Sequence, residues 1–413
     1  MRMLVWIFQS GEPVHTDTEN FRSMRAINLC NELIAQGHDV ELWTSNFNHV
    51  NKSHRYSKTT TIKVNEKLKI HFINSPGYKS NVSFRRLVDH FVLALNLKKL
   101  IRQEASTPDV AFVGLPPLET AFVMSKFLTK RNIPFLVDVK DLWPEVFYRE
   151  LPTRFRFILR FVFLPFEYLL QRTLKLATGI SSISDEFLEW CLQKAGRSRN
   201  SNDIVAFLNS PPTSKESESG VVGESKWLSD IHSIKGVKIV SFVGTFSEVF
   251  DFNPIIKASQ RDGFKFVIAG DGPQFDYVLE ASLKNTNLVV PGRIGVEEIS
   301  KLLTLTDYYI IPLKDLIDFR LSLPNKFFDA LSAGLPIITS CEGTLRRVIA
   351  NEAIGYHYSN LDQNDLSHVL EKLRNEDTYA MRTRALALSQ EKFSFKRNYD
   401  LLVQKLEGLQ NGR

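Results

Sequence analysis

The sequence predicts a doubly wound α/β protein built as two domains, and three observations lead there. The chain has 413 residues, which exceeds one ordinary domain and suits two of about 200 residues each. Short runs that read as buried strands, such as MLVWIF, DVAFVG and YYII, alternate with helical stretches along the whole length. After Asn209 the run SPPTSKESESGVVGESK, rich in Pro, Ser, Gly and Glu, interrupts that alternation near the middle of the chain, and the same pattern then restarts. The expected layout is a first Rossmann-like domain over 1–209, a linker over 210–236 and a second Rossmann-like domain over 237–392.

Composition narrows the function. The 52 basic and 46 acidic side chains leave a net charge of +6, an excess that suits phosphorylated ligands or an anionic membrane surface. No dense basic run or RNA-binding motif accompanies it, so nucleic acid is not an expected partner. The three cysteines, Cys30, Cys191 and Cys341, lie in different segments without metal-type spacing. Neither a disulfide framework nor a metal site is expected, and a reducing cytoplasm fits. MLVWIF is too short for a signal segment and reads as a first strand, and no stretch is long and apolar enough to span a bilayer.

In the first domain, the strand Met3–Phe8 feeds the loop QSGEPVHTDTEN and a helix that Gly37 closes. One glycine, Gly11, stands where a dinucleotide fingerprint would need three. Arg22 and Arg25 read as charges on the helix surface. The segment 47–58 carries His49, Lys52, His54 and Arg55 and reads as a mobile basic loop, without the neighbouring ligands that zinc requires. Strand–helix units follow, with helices over Phe84–Arg102 and Leu118–Lys130. The strand IPFLVDV then ends in VDVKDLWPEVF, which gathers Asp138, Lys140, Asp141 and Glu145 around Trp143. Carboxylates crowded at a strand end are costly without partners, and such clusters mark tuned sites as well as salt-linked turns. Next, Arg154, Arg156 and Arg160 interleave with Phe, Leu and Ile in a long helix. A helix of that kind either packs on its own domain or lies in a membrane interface, through the 154–172 region.

In the second domain, KIVSFVGTF opens the pattern with Gly244 and Thr245 at the strand end, and the Gly270–Pro273 turn follows the next strand. The most informative stretch is Tyr308–Thr339: a buried strand, a polar loop, a helix opened by Pro324, a stop at Gly334 and a second buried strand. Its loop and first helical turn set Arg320, Ser322, Asn325 and Lys326, with Leu323 and Pro324 between them, before free backbone N–H groups, and the four polar side chains suit phosphate oxygens. Asp329, one turn later on the same face, could accept hydrogen bonds from a ribose diol. A solvated loop with a surface aspartate is the plainer alternative.

The Tyr308–Thr339 run resembles the donor-site motif of family 4 retaining glycosyltransferases of the GT-B fold, in particular bacterial O-antigen and capsule enzymes such as the N-acetylfucosamine transferase type. The resemblance covers nearly the whole chain. It includes Gly-His-Asp-Val after the first helix, Asp-Leu-Trp-Pro at Asp141–Pro144 and Gly-Asp-Gly-Pro at Gly270–Pro273. It implies two Rossmann-like domains facing across a cleft, the last segment 393–413 returning to the first domain, a nucleotide-sugar donor and no cofactor or metal. Asp141 would orient or deprotonate the acceptor hydroxyl, with Asp138 the second candidate. Gly11, Gly244, Thr245, Arg293, Ile294 and the 320–329 residues would line the donor, Arg293 and Ile294 beside the nucleobase and Asp329 on the ribose.

Three departures stand out. Leu321 occupies the place of the motif's first glutamate, Thr245 that of a donor-phosphate arginine, and no lysine follows before Lys257. The resemblance thus implies transfer of a sugar, a UDP-N-acetylamino sugar in the first instance, to a polyprenyl-linked or glycan acceptor in surface polysaccharide synthesis, on or near the inner membrane face. A UDP-sugar 2-epimerase of the same architecture and a non-catalytic subunit of a glycan-assembly complex remain alternatives.

Overall fold

The computed structural model describes residues 2–17, 22–81, 83–147, 153–210, 225–233, 236–362 and 364–411. Two compact units emerge, one of Met1–Ser210 with Phe395–Arg413 and the other of Pro211–Ser394.

The first unit contains β1 (Leu4–Phe8), α1 (Arg25–Ala35), β2 (Asp39–Ser45), β3 (Phe47–Asn48), β4 (Ser53–His54), β5 (Thr60–Lys63), β6 (Leu68–Ile73), α2 (Phe84–Gln103), β7 (Val110–Leu115), α3 (Leu118–Lys130), β8 (Phe135–Val139), α4 (Thr153–Leu176), β9 (Gly179–Ser182), α5 (Asp185–Ala195) and β10 (Ile204–Val205). Its main sheet runs β10-β9-β8-β7-β1-β2-β6-β5 and is parallel except for β5, which pairs antiparallel with β6. The strand order reverses between β1 and β7, the crevice at which open parallel sheets take ligands. Strands such as VWIF and VAFVGL are buried throughout, as expected of a sheet covered on both faces.

The second unit contains α6 (Lys226–His232), β11 (Lys238–Val243), α7 (Asn253–Ala258), β12 (Phe264–Ala269), α8 (Phe275–Leu283), β13 (Leu288–Gly292), α9 (Val296–Leu305), β14 (Tyr308–Ile311), α10 (Ile317–Arg320), α11 (Asn325–Ser332), β15 (Ile337–Thr339), α12 (Thr344–Asn351), β16 (Gly355–His357), α13 (Asp365–Leu373) and α14 (Tyr379–Gln390). Its sheet, β13-β12-β11-β14-β15-β16, is parallel, and its reversal lies between β11 and β14.

The chain closes with α15 (Phe395–Asn411), which belongs to the first unit. Tyr399, Leu402, Val403, Leu406 and Leu409 of α15 join the core beneath β1, β2 and β6. Asn398 accepts the Phe207 N–H at 3.0 Å, and the Tyr399 hydroxyl donates to the Asn209 carbonyl at 3.2 Å.

The structure departs from the sequence reading in several places. Segment 47–58 is a short hairpin rather than an open loop. Asn46 brackets it, accepting the Tyr56 N–H at 2.9 Å and donating to the Tyr56 carbonyl at 2.6 Å. Arg55 fastens its far side to Asp17 at 2.6 Å. Within the stretch read as linker, Lys226–His232 form α6, whose Ile231 enters the core beside Ile239 and Leu302. Residues 211–224 of that linker, and the side chains of Arg156 and Phe157, lie outside the described residues.

Candidate functional site

In the second unit, the loops that follow β11, β12 and β13 are stitched together by their own backbones. Gly244 N–H donates to the Ala269 carbonyl at 2.9 Å, Gly270 N–H to that of Gly292 at 2.8 Å, and Phe246 N–H to that of Asp271 at 2.8 Å. Lys326, from the first turn of α11, reaches this edge. Its Nζ donates to the Val243 carbonyl at 2.5 Å and lies 4.7 Å from the centre of the Phe242 ring. This geometry requires glycine at 244. Its φ is +154°, and a Cβ there would lie 1.7 Å from Lys326 Nζ. Gly270 is equally constrained, because a Cβ would meet the Gly244 carbonyl oxygen at 1.8 Å. The result is a cation fixed at the carboxyl end of β11, beside the strand-order reversal.

The other donor-side candidates divide. Pro324 is extended just before α11, so the helix opens where the proline predicts. Leu323 is buried and anchors that turn, Asn325 is exposed and Asp329 is half-buried. Ser322 Oγ donates to the Asp318 carbonyl at 2.8 Å, closing the short α10 that sequence reasoning missed. Arg320 pairs with Asp315, Nε to Oδ1 at 2.5 Å, and the hydrogen bonds from Arg320 hold the Asp315 carboxyl below its usual range. Arg320 would have to exchange that partner to meet a diphosphate. Thr245 and Arg293 are exposed, while Ile294 packs against the Ile239–Leu302 core.

In the first unit, Gly11, exposed at φ +78°, lies beyond the carboxyl end of β1, with open space where a side chain would stand. Glu12, next to it, is buried: its Oε2 accepts the Ala26 N–H at the start of α1 at 2.9 Å, and its Oε1 pairs with Lys140. Arg25 is not the surface charge expected from the sequence. It turns inward and binds Asp138, Nη1 to Oδ2 at 2.7 Å, with the Asp138 side chain 1% exposed. Burying that carboxylate demands a counter-charge, and Arg25 supplies it. Asp138 is therefore committed to an ion pair through one oxygen, while Oδ1 has no hydrogen-bond partner. Asp141 is exposed. The surrounding protein pushes its carboxyl above the ordinary range while Lys140, Arg25 and Arg86 pull it down, and its contact with solvent tempers the rise.

A second cluster in this unit joins His49 and Lys52 of the basic segment 47–58 to residues that the sequence did not connect with it. Around Tyr78 gather His49 (Nδ1 to the hydroxyl, 2.6 Å), Lys52 (4.9 Å from the ring centre) and Arg86 (5.5 Å), with Arg86 also 5.2 Å from the Trp143 ring. His90 and Glu119 lie behind them, both buried, with Nδ1 and Oε2 3.9 Å apart. Burial holds the Glu119 carboxyl up at about 7 and drives His49 and His90 down to about 4 and about 3, with the nearby cations adding to the histidine shifts. These residues come from five separate segments that only the sheet brings together, so no local motif could reveal them.

Among the described residues, one trio could hold a metal ion: Glu41, His71 and Glu104. Lys69 already fills it, 3.3 Å from Glu41 and 2.9 Å from Glu104.

Against known proteins, residues 234–376, just over a third of the chain, match the family model described as "Glycosyl transferases group 1". The whole chain superposes on sucrose-phosphate synthase from Thermosynechococcus elongatus with a TM-score of 0.70 and 14% identity, covering 100% of both chains. The fold is GT-B. Other GT-B structures similar to this chain are WaaG, a glycosyltransferase involved in lipopolysaccharide biosynthesis (TM-score 0.63, 13% identity, 98% of this chain and 100% of that one), and Anabaena HepE in complex with UDP and glucose (TM-score 0.61, 12% identity, 98% and 100%). A search of the curated proteins finds no match. In this GT-B chain the matched segment spans every strand of the second sheet and α11 with Lys326 and Asp329.

Proposed function

We propose that the chain is a retaining glycosyltransferase. It moves a sugar from a nucleotide-diphosphate donor, a UDP-N-acetylamino sugar in the first instance, to a lipid-linked or glycan acceptor in bacterial surface polysaccharide synthesis. One observation carries this reading: Lys326 is fixed at the carboxyl end of β11, at the strand-order reversal of a parallel sheet, beside Gly244, whose φ of +154° favours glycine. A cation and the N-terminus of α11 in that position suit a diphosphate. The group 1 family match over the same unit and the UDP held by the similar HepE support the choice of ligand.

In the proposed step the acceptor oxygen bonds to the anomeric carbon as the bond from that carbon to the diphosphate oxygen breaks, on the same face. The acceptor proton passes to a donor phosphate oxygen, with Asp141 orienting the hydroxyl. Charge gathering on the leaving diphosphate is met by Lys326 and the backbone N–H groups opening α11, which do not reorganise as it develops. Asp329 would hold the ribose diol. Membrane association, included in the proposal, is supported by the apolar residues that α2 and α4 expose. No described helix is long and apolar enough to cross a bilayer.

Titration calorimetry with UDP tests the donor half. Wild type should bind, Lys326→Met should weaken binding about tenfold or more, which is about 1.4 kcal/mol, and Asp329→Ala should do likewise. Equal affinity for UDP in all three proteins would remove the donor site from this place.

A further inference from the structure

The cluster around Tyr78 has a charge pattern that the fold alone does not call for. Lys52 and Arg86 flank one tyrosine ring, yet among the described residues neither forms an ion pair with a carboxylate. Lys52 donates to Asn81 Oδ1 at 2.6 Å and Arg86 to the Asn81 carbonyl at 2.7 Å, so both cations rest on neutral oxygens. They repel each other: the pKa of Lys52 falls, through burial and then through Arg86.

Buried polar atoms lie beside them without hydrogen-bond partners, namely Arg86 Nε, His90 Nδ1 and Glu119 Oε2, the histidine and glutamate being 4% and 8% exposed. Leaving three such atoms unsatisfied costs free energy that a bound polar group would recover. Glu119, the one carboxylate among them, is the group whose charge burial disfavours. The segments that carry the cluster follow the carboxyl ends of β2, β6, β7 and β8, and Asp141 lies close enough to feel the Arg86 charge.

We infer that Lys52, Arg86, His90 and Glu119 form an anion site for the phosphate or diphosphate of a phosphorylated sugar, with Tyr78 and Trp143 as apolar walls. Lys52 and Arg86 supply the charge, Arg86 Nε donates to a phosphate oxygen, and Glu119 in its protonated form donates to a second oxygen. On the reading of the chain as a glycosyltransferase, this is where the acceptor's phosphate is held. The shared chemistry is the phosphate; it can come from a lipid-diphosphate sugar or a soluble sugar phosphate.

The test titrates inorganic diphosphate into the full-length protein by calorimetry, with Lys326→Met in parallel so that any binding in the second unit is separated. Expected is binding that survives in Lys326→Met, falls about tenfold or more in Arg86→Gln and in Lys52→Gln, recovers in part in Arg86→Lys, and is undiminished in Glu119→Gln. Circular dichroism checks that each variant is folded. Folded Arg86→Gln and Lys52→Gln proteins that bind diphosphate as wild type does would overturn the site. Competition then separates the sources: stronger displacement by a short prenyl-diphosphate sugar than by a sugar 1-phosphate assigns the site to a lipid headgroup, and equal displacement assigns it to a soluble phosphate. Failure of both compounds to displace diphosphate would overturn the site. Because the readout is diphosphate binding and not transfer, it stands or falls apart from UDP binding at Lys326.

Discussion

Arg25 and Asp138 show how one buried pair fixes the chemistry available around it. Removing the arginine while keeping the aspartate leaves a carboxylate in the interior without its counter-charge, which costs about 3–5 kcal/mol in comparable pairs. Arg25→Met should therefore lower the urea midpoint of the first unit strongly, and adding Asp138→Leu should restore most of the loss. The titrations of the Tyr78 cluster give a second outcome at this scale. His49 and His90, at about 4 and about 3 in the folded protein against an ordinary 6.5, take up fewer protons than they do in the unfolded chain. Stability therefore falls as pH drops below 6.5 through those values. Glu119, raised to about 7 from 4.5, acts the other way: its contribution is full below 4.5 and is lost as pH rises to about 7. Melting temperature followed from pH 8 to pH 4 should fall less in His90→Gln than in wild type, and a parallel fall would contradict the buried neutral imidazole. Residue types were the least legible level in the sequence. Arg25 sits in an ordinary helix start, and nothing local says that the fold turns it toward Asp138 on a strand 113 positions away.

Among the elements, α2 and α4 carry more apolar surface than their packing uses. Phe84, Val88, Phe91 and Leu95 recur along exposed α2, and Phe155, Ile158, Phe161, Val162, Leu164 and Tyr168 along α4, with Arg154 and Arg160 between. Phe163, by contrast, stacks on Phe147 at 5.5 Å and is half-buried. A helix with apolar residues and arginines on its exposed side suits an anionic lipid interface. Replacing Phe91, Ile158 and Phe161 by Ser should reduce co-sedimentation with vesicles containing anionic lipid by several-fold, and unchanged sedimentation would remove these helices from the membrane contact. The amphipathic pattern of α4 was legible because a single helix contains it. The exposure of α2 was not, since its periodicity shows which residues share a face but not which face the sheet covers.

For the whole molecule, the alternation of apolar strands with helices was sufficient to read two doubly wound units, because burial on both faces of a parallel sheet leaves short apolar runs whose length and bounding turn residues separate them from helices. Less legible were the antiparallel edge strand Thr60–Lys63, whose half-exposed residues lack that signature, and α6, hidden in a polar segment. At the proposed donor site, the helix start at Pro324 and Lys326 was readable from local turn chemistry, whereas the Arg320–Asp315 pair is a product of the folded loop. The central claim, sugar transfer from a nucleotide donor held in the second unit, is tested most directly by mass spectrometry. Wild type and Asp329→Ala would be incubated with UDP-, GDP- and dTDP-sugars and a short polyprenyl-diphosphate sugar acceptor. The account predicts one donor whose sugar appears on the acceptor with wild type and is largely lost with Asp329→Ala. Conversion of a UDP-sugar to its epimer without acceptor, or bound nucleotide with no product from any donor, would contradict it.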